Sequence, residues 1–490
     1  LGGPLGKSAQ FPLHEWLPEA MAGPTAVSAL IHAATMVKAG VYLVARMSPV
    51  FYLGYWVYGL QEAQVFFIAI ACIGAFTAFL AASQAMVSVE LKKVLAYSTV
   101  SQIGYMMLGL GVSGLSEGAY VAGLTAGVFH LASHALFKAA LFLCAGSVIH
   151  SVGSIYMFNM GGLKKYMPIT HGLMLIATLS LSGIPPLSGF WSKDSVFLAS
   201  LVAGTPISLT LLAVGAISAA MTFFYSIRYI SSTFYGEKSD FIHEMEHHGH
   251  HVHEAPPLMW EPIAILVLLV IGVGTLGLIG VFVPGLSPEI FIEEQMHSML
   301  HEMHVPLEME HVAASTKWTA AGTSAAMLLI GGVIGWTLYL ARKVDPWQFV
   351  SGSRLLKGIH TFLWNRWYMN SFYYTVFVDG VISFSRSMFG SLETWFFDKI
   401  TPVVSDLFVN VGNVLFSDLE SEVIDRGLNV GVPAAAMGLY HRVKKLQTGV
   451  LSYNIIYIAL TFLSLILLFL IMYGGMGNVA AYPLAKLLFK

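Results

Sequence analysis

The chain has 490 residues, of which 11% are charged and 56% hydrophobic, with 25 Lys and Arg against 27 Asp and Glu. A soluble domain carries roughly 25% charged residues, and its core cannot hide apolar surface on this scale, which excludes an ordinary water-soluble enzyme and points to a bilayer as solvent. The net charge of -2 offers no basic excess to neutralise phosphates, which excludes a nucleic-acid partner.

Cys72 and Cys144 lie far apart in apolar runs, with no Cys or His spacing of a zinc or iron–sulfur site. No GxGxxG follows a strand, and no GxxxxGK leads into Ser or Thr. If the protein works in redox or ATP biology, its cofactor is expected on another subunit. The opening LGGPLGKSAQ reads as helix interior rather than a signal peptide, so the N-terminal helices of a longer protein are expected ahead of Leu1.

A spanning helix needs about 20 mostly apolar residues. Such runs occur near 25–46, 65–86, 93–112, 119–150, 167–184, 194–230 (one helix or two), 262–284, 318–341 and 450–474. Each is apolar all round, as in helices embedded in lipid or in one another. Arg46, Lys164, Lys165, Arg342 and Lys343 stand near the ends of these runs, where the cytoplasmic excess of basic residues falls.

Pro and Gly interrupt the apolar pattern twice. Pro12, Pro18, Gly23 and Pro24 break the first stretch, close to Lys7; Gly183, Pro185, Pro186 and Gly189 break the second, close to Lys193. Interrupted helices survive at membrane depth only where protein or water satisfies their freed backbone groups, and a corresponding pair of them marks a repeat-built transporter core. Tight interhelical loops are the plainer reading.

Residues 236–260 are expected to form an extramembrane loop, with His243, His247, His248, His250, His251 and His253 inside HEMEHHGHHVHE. Imidazole clusters bind Zn or Ni, but no acidic or Cys ligand spacing accompanies them, and a low-complexity loop is the simpler account. His297, His301, His304 and His311 are read the same way. Beyond about 376, charges recur too often for a span (Asp379, Arg386, Glu393, Asp398, Lys399, Asp406, Asp418, Glu420, Asp425, Arg426). Apolar residues interleave with them at helical spacing: Phe384, Met388, Leu392, Trp395, Phe396, then Val403, Leu407, Val411, Leu415. The pattern predicts a long amphipathic helix along a surface, reaching on the order of 100 Å if mostly helical, kinked at Gly390, Pro402, Gly412 and Pro433 and anchored by a last span. The expected organisation is a core over 1–235, the loop 236–260, further spans over 261–345, the amphipathic region 346–446 and an anchor over 447–490.

Ionisable residues inside apolar runs cost roughly 2.5 to 3.5 kcal/mol at a helix centre and are functional candidates by default. Lys7, His32, Lys38, Glu90, Lys92, Lys93, His130, His134, Lys138, Lys193 and Asp194 form such a series. His130, His134 and Lys138 stand at i, i+4 and i+8, on one helix face, like stations of a proton wire. A lysine in an apolar surround gives up its proton more readily, as a switchable site requires. His32 also reads as a satisfied core histidine, and Lys92 and Lys93 as markers of a helix end.

GKSAQFPLHEWLPEAMAGPTAVSALIHAATM, LKKVLAYSTVSQIGYM, FHLASHALFKAALFL and GIPPLSGFWSKD, in this order over about residues 1–235, resemble the antiporter-like membrane subunits of respiratory complex I and of Mrp cation/proton antiporters. The long C-terminal amphipathic stretch with its last span resembles the lateral helix of the distal, largest of those subunits. The resemblance implies an all-α polytopic bundle with discontinuous helices. Its two inverted five-helix repeats would each supply half of a proton path, with Lys7, His32, Lys92, the central His130, His134 and Lys138, and the outlet pair Lys193 and Asp194 along it; Lys38, Glu90 and Lys93 are additional candidates. The family pairs its first Lys with a Glu two helices earlier, which would precede Leu1. At Lys38 the complex I type usually carries a small residue and the Mrp type a Lys.

The implied function is proton translocation driven by electron transfer elsewhere in a complex I-like oxidoreductase, in a bacterial or archaeal cell membrane. Moving one charge against 100 mV costs about 2.3 kcal/mol. Flavin, iron–sulfur clusters and quinone or methanophenazine would sit on or between partner subunits, with no cofactor or metal on this chain. Sister membrane subunits would be the partners, clamped by the lateral helix. The electron donor (NADH, ferredoxin or a reduced deazaflavin) would dock elsewhere, and a methanogen-type dehydrogenase is the favoured version. A Mrp-type Na⁺/H⁺ antiporter subunit and a structural subunit that only stabilises a complex are the alternatives.

Overall fold

The computed structural model describes residues 1–303, 305, 312–390, 398–445, 455–465 and 468, without the side chains of 413–422. The chain falls into two units, Leu1–Tyr368 and Met369–Lys490. Among the described residues the fold is all helical, apart from one isolated antiparallel bridge between Glu90 and Tyr156.

The first unit begins with α1 (Gly2–Lys7), the short α2 (Trp16–Glu19) with a 3-10 turn at Ala20–Ala22, α3 (Thr25–Ala33), α4 (Met36–Tyr52), α5 (Gln61–Ala85) and α6 (Leu91–Val112). It continues through α7 (Tyr120–Val152), α8 (Pro168–Ser182), α9 (Ser188–Ala203), α10 (Pro206–Phe234) and α11 (Asp240–His247). It closes with α12 (Pro257–Gly280), α13 (Pro288–Glu302), α14 (Ala314–Gly335), α15 (Pro346–Ser351) and α16 (Arg354–Trp364).

Six stretches among the described residues are long and apolar enough to cross a membrane: Thr25–Val57, Gln61–Ala85, Tyr120–Val152, Pro206–Phe234, Pro257–Gly280 and Ala314–Leu340. Helix α6 is not one of them. It is buried along nearly its whole length, so its Ser, Thr and Gln side chains face protein and need not be compatible with lipid. Its closest partner is α5, and at Gly74 and Gly104 the two backbones meet: a Cβ on Gly74 would lie 2.7 Å from the Gly104 carbonyl oxygen. Small residues permit such an approach between membrane helices.

Both predicted interruptions are present. Between α1 and α3 the chain leaves the helical path except for α2 and its 3-10 turn; between α8 and α9 it turns over five residues, 183–187. A third interruption, at Ala34–Thr35, splits the run read from sequence as one span over 25–46. Thr35 leaves the helical conformation there (φ -116°, ψ -91°), and its hydroxyl donates to the Leu30 carbonyl at 3.0 Å. The run over 194–230 proves to be two helices, parted at Gly204, which adopts φ +61°.

The histidine-rich stretch is partly folded onto the bundle. Ile242, Val252 and Ala255 are buried, and Glu254 receives the amide of Ile169 at 2.7 Å and the hydroxyl of Thr170 at 2.5 Å, capping the start of α8. Among the described residues no three His, Cys, Asp or Glu side chains gather as a metal-binding group. His304 and His311 lie outside the described residues.

The second unit contains α17 (Met369–Tyr373), α18 (Asp379–Met388), α19 (Asp398–Leu419), α20 (Val432–Lys444) and the apolar helix Ile455–Leu465. Helix α19 runs on through Pro402 and Gly412, so neither interrupts it, and Pro433 lies at the second residue of α20, directly after the π-helical turn Glu420–Gly431. Phe384, Val403 and Leu407 are exposed. Leu392, Glu393, Trp395 and Phe396, the side chains of Leu415, Asp418 and Glu420, and most of the expected anchor over 447–490 lie outside the described residues.

Candidate functional site

Helix α7 carries the central candidates through the middle of the first unit, and His130, His134 and Lys138 are fully buried. Eight residues at 1.5 Å each separate His130 from Lys138 by about 12 Å along the helix axis. At one end Lys138 donates from Nζ to the Ser98 hydroxyl and, at 3.4 Å, to the Leu95 carbonyl, both on α6. At the other, His130 Nδ1 lies 2.9 Å from Ser192 Oγ on α9 and Nε2 3.2 Å from Gln102 Oε1 on α6. With Oε1 as acceptor, Nε2 carries the proton and Nδ1 accepts from the serine. His134 lies between them, its ring centroid 6.3 Å from that of His130, and neither of its nitrogens has a protein hydrogen-bond partner. The same holds for His32, packed against the Phe142 ring at 4.7 Å.

The lysines beside the interruptions are held by backbone carbonyls. Lys92 donates to the carbonyls of Met21 and Gly23, each at 2.7 Å, in the turn between α2 and α3. Lys193 donates to the Leu181 carbonyl at 2.5 Å at the end of α8, with its Nζ 5.6 Å from the centroid of the Tyr105 ring. Lys38, buried just beyond the third interruption, donates to the Leu131 carbonyl on α7. Broken helices leave carbonyls without intrahelical donors, and an ammonium satisfies them without needing a carboxylate.

Helix α9 spreads four consecutive side chains over four neighbours, since each residue advances about 100° around a helix. Ser192 meets His130 on α7, Lys193 meets Leu181 on α8, Asp194 accepts from Ser324 on α14 at 2.8 Å, and Ser195 donates to Glu289 on α13 at 2.6 Å. Lys193 and Asp194, adjacent in sequence, therefore point apart. Nearby, Ser133, Ser180 and Ser188 link their hydroxyls at 3.0 and 3.2 Å.

The remaining candidates are Glu90, Lys93 and Lys7. Glu90 and Lys93 pair with each other at 2.8 Å, half-buried at the start of α6. Lys7 is exposed at the end of α1. The sequence reading missed Glu289, Gln102 and the serines, whose types are too common to stand out. It also passed over Arg228, which donates to the Ala85 and Ser88 carbonyls at 3.3 and 2.7 Å; a lone Arg within the apolar run of α10 was a signal of the same kind as Lys138.

Comparison with known proteins shows what the chain is similar to. Residues 1–222 match the family model described as NADH:quinone oxidoreductase/Mrp antiporter, TM. NAD(P)H-quinone oxidoreductase chain 5 of a Picosynechococcus species is 40% identical over 79% of this chain and 56% of its own length. F(420)H(2) dehydrogenase subunit L of Methanosarcina mazei is 36% identical over 96% of this chain and 64% of its own. The chain thus spans little more than half the length of these relatives. A structure of the Mrp complex from Dietzia sp. DQ12-45-1b is similar with a TM-score of 0.52 and 30% identity, over 72% of this chain and 37% of that one. Over residues 1–222 the chain is thus similar to the NADH:quinone oxidoreductase/Mrp antiporter family of transmembrane proteins.

Proposed function

We propose that this chain is a proton-translocating membrane subunit of a complex I-like oxidoreductase, driven by electron transfer on partner subunits. The observation that carries this reading is the set of buried cations and imidazoles on three contacting helices: Lys92 on α6, Lys138, His134 and His130 on α7, and Lys193 on α9. Each end of the set reaches a helix interruption, where carbonyls hold an ammonium in place of water. Lys138, bonded to Ser98, would take up and release a proton at one end of α7, and His130, bonded to Ser192, would do so at the other, where Lys193 and Asp194 follow Ser192 on α9. Water at the ring nitrogens of His134 would bridge the middle, since a buried polar group left unpaired costs about 1–3 kcal/mol.

Flavin, iron–sulfur and quinone or methanophenazine chemistry belongs, in this reading, to other subunits. The exposed apolar residues of α18 and α19 would be covered by sister membrane subunits, the lateral region acting as a clamp. A second reading, a Mrp-type Na⁺/H⁺ antiporter subunit, is favoured by the burial of Lys38 and by the likeness to the Mrp complex structure.

Proton pumping in membrane vesicles with Lys138→Ala and Lys193→Ala, recorded beside electron-transfer rate with assembly verified, tests the proposal. Pumping per electron is expected to fall while the complex stays assembled. Unchanged pumping would make these charges structural, and sodium-dependent transport without any electron donor would establish the Mrp reading.

A further inference from the structure

The end of α16 is followed by Arg366, Trp367 and Tyr368, with φ of +53°, +56° and +54°. Three non-glycine residues in succession hold the left-handed conformation only where surrounding contacts outweigh the strain. Those contacts are specific. The Arg366 guanidinium donates to Glu19 and lies 3.5 Å from Glu15. Trp367 Nε1 donates to Ser83 Oγ at 3.1 Å, and its ring stands edge-on to Phe76 and Phe79 on α5, with centroids 5.8 and 6.0 Å away.

Glu15 and Glu19 belong to the first interruption, in the same short turn that offers the Met21 and Gly23 carbonyls to Lys92. Glu19 and Met21 are two residues apart. The turn is therefore gripped from two sides, by a guanidinium from 347 positions further along the chain and by an ammonium from α6. Lys93, the neighbouring cation, pairs with Glu90, and His14 stands 3.3 Å from Glu15; Arg366 is the side chain that reaches both Glu15 and Glu19.

We infer that Arg366 is a positioning residue for Lys92: by holding Glu15 and Glu19 it fixes the turn whose carbonyls bind the Lys92 ammonium, and so sets the contribution of Lys92 to proton movement. The inference rests on the proton-translocation reading above. It joins the start of the lateral region to the proton path through one side chain.

The test is a double-mutant cycle on protons pumped per electron in assembled complex, using Arg366→Gln, Arg366→Lys, Lys92→Ala and the double variant Arg366→Gln with Lys92→Ala. Arg366→Gln is expected to lower pumping by about threefold or more, and Arg366→Lys to recover most of the loss. In the Lys92→Ala background, Arg366→Gln is expected to add nothing. Should Arg366→Gln prevent assembly, Glu19→Gln, which removes one exposed carboxylate and leaves Glu15, replaces it in the cycle. The inference is overturned if the Gln variant pumps like the parent, or if its loss multiplies independently with that of Lys92→Ala. A pumping loss in Lys138→Ala alongside either result sinks only this inference, whereas unchanged pumping in Lys138→Ala and Lys193→Ala sinks the functional reading itself.

Discussion

The two helix interruptions beside Lys92 and Lys193 solve one physical problem in opposite ways. The second is short and closed locally. Gly183 adopts φ +87°, Gly189 brings α9 against the end of α8, and Lys193 bonds a carbonyl of the hairpin it belongs to. The first is long and closed from a distance: Ser8 donates to Val37 at 2.6 Å and Trp16 to Gly6 at 3.0 Å, Lys92 arrives from α6, and Arg366 from far along the chain. A tight break is thus encoded by its own residues, while a wide one depends on groups elsewhere in the fold.

Substitutions rank this difference. The largest effect is expected from Gly189→Ala, whose Cβ would lie 1.8 Å from the Ser180 carbonyl oxygen. With backbone on both sides α8 and α9 must separate, at a cost of about 3 kcal/mol or more; a thermal unfolding midpoint in detergent equal to that of the parent would break the account of local closure. Next come the lysines. Lys92→Met leaves two carbonyls without a donor and Lys193→Met leaves one, so with roughly 1–3 kcal/mol for each buried group left unsatisfied the first variant should unfold at the lower temperature. The reverse order would mean that water already serves the wider break.

Ser188→Ala removes a hydroxyl from the Ser133, Ser180 and Ser188 group beside the second break and should cost about 1 kcal/mol in the same assay. Smallest is Glu246→Gln, in the partly buried surface pair with Lys238 at 2.5 Å outside both breaks, where surface ion pairs contribute about 0–1 kcal/mol. The hydrogen bond from Lys238 holds the Glu246 carboxyl below its usual range. The pair's contribution is therefore present at neutral pH and lost as pH falls through that lowered value. Parent and variant midpoints that differ slightly at pH 7 should converge in acid.

Much of this arrangement was legible in the sequence, for a reason that the two breaks illustrate. Helical spacing put His130, His134 and Lys138 on one face, and Pro and Gly marked both interruptions, because those signals are local and strong. The break at Ala34–Thr35 carries neither Pro nor Gly and went unread. So did the partners of Asp194 and Ser195, which come from α14 and α13, and the grip of Arg366 on Glu19. Lys7 had the residue type and position of a buried site yet is exposed, and Lys193 and Asp194 read as a pair but face different helices. Burial and pairing belong to tertiary packing, which residue order constrains only through periodicity.

The fan of contacts around α9 has a mechanical consequence. Its four successive side chains are keyed to four different neighbours, so turning the helix by even one residue's angle would unseat all of them together. Rotation or screw motion of this element therefore costs all four contacts at once, about 0.5–1.5 kcal/mol for each. Side-chain rotamers and hydroxyl reorientation can alter single contacts of α9 without that joint cost.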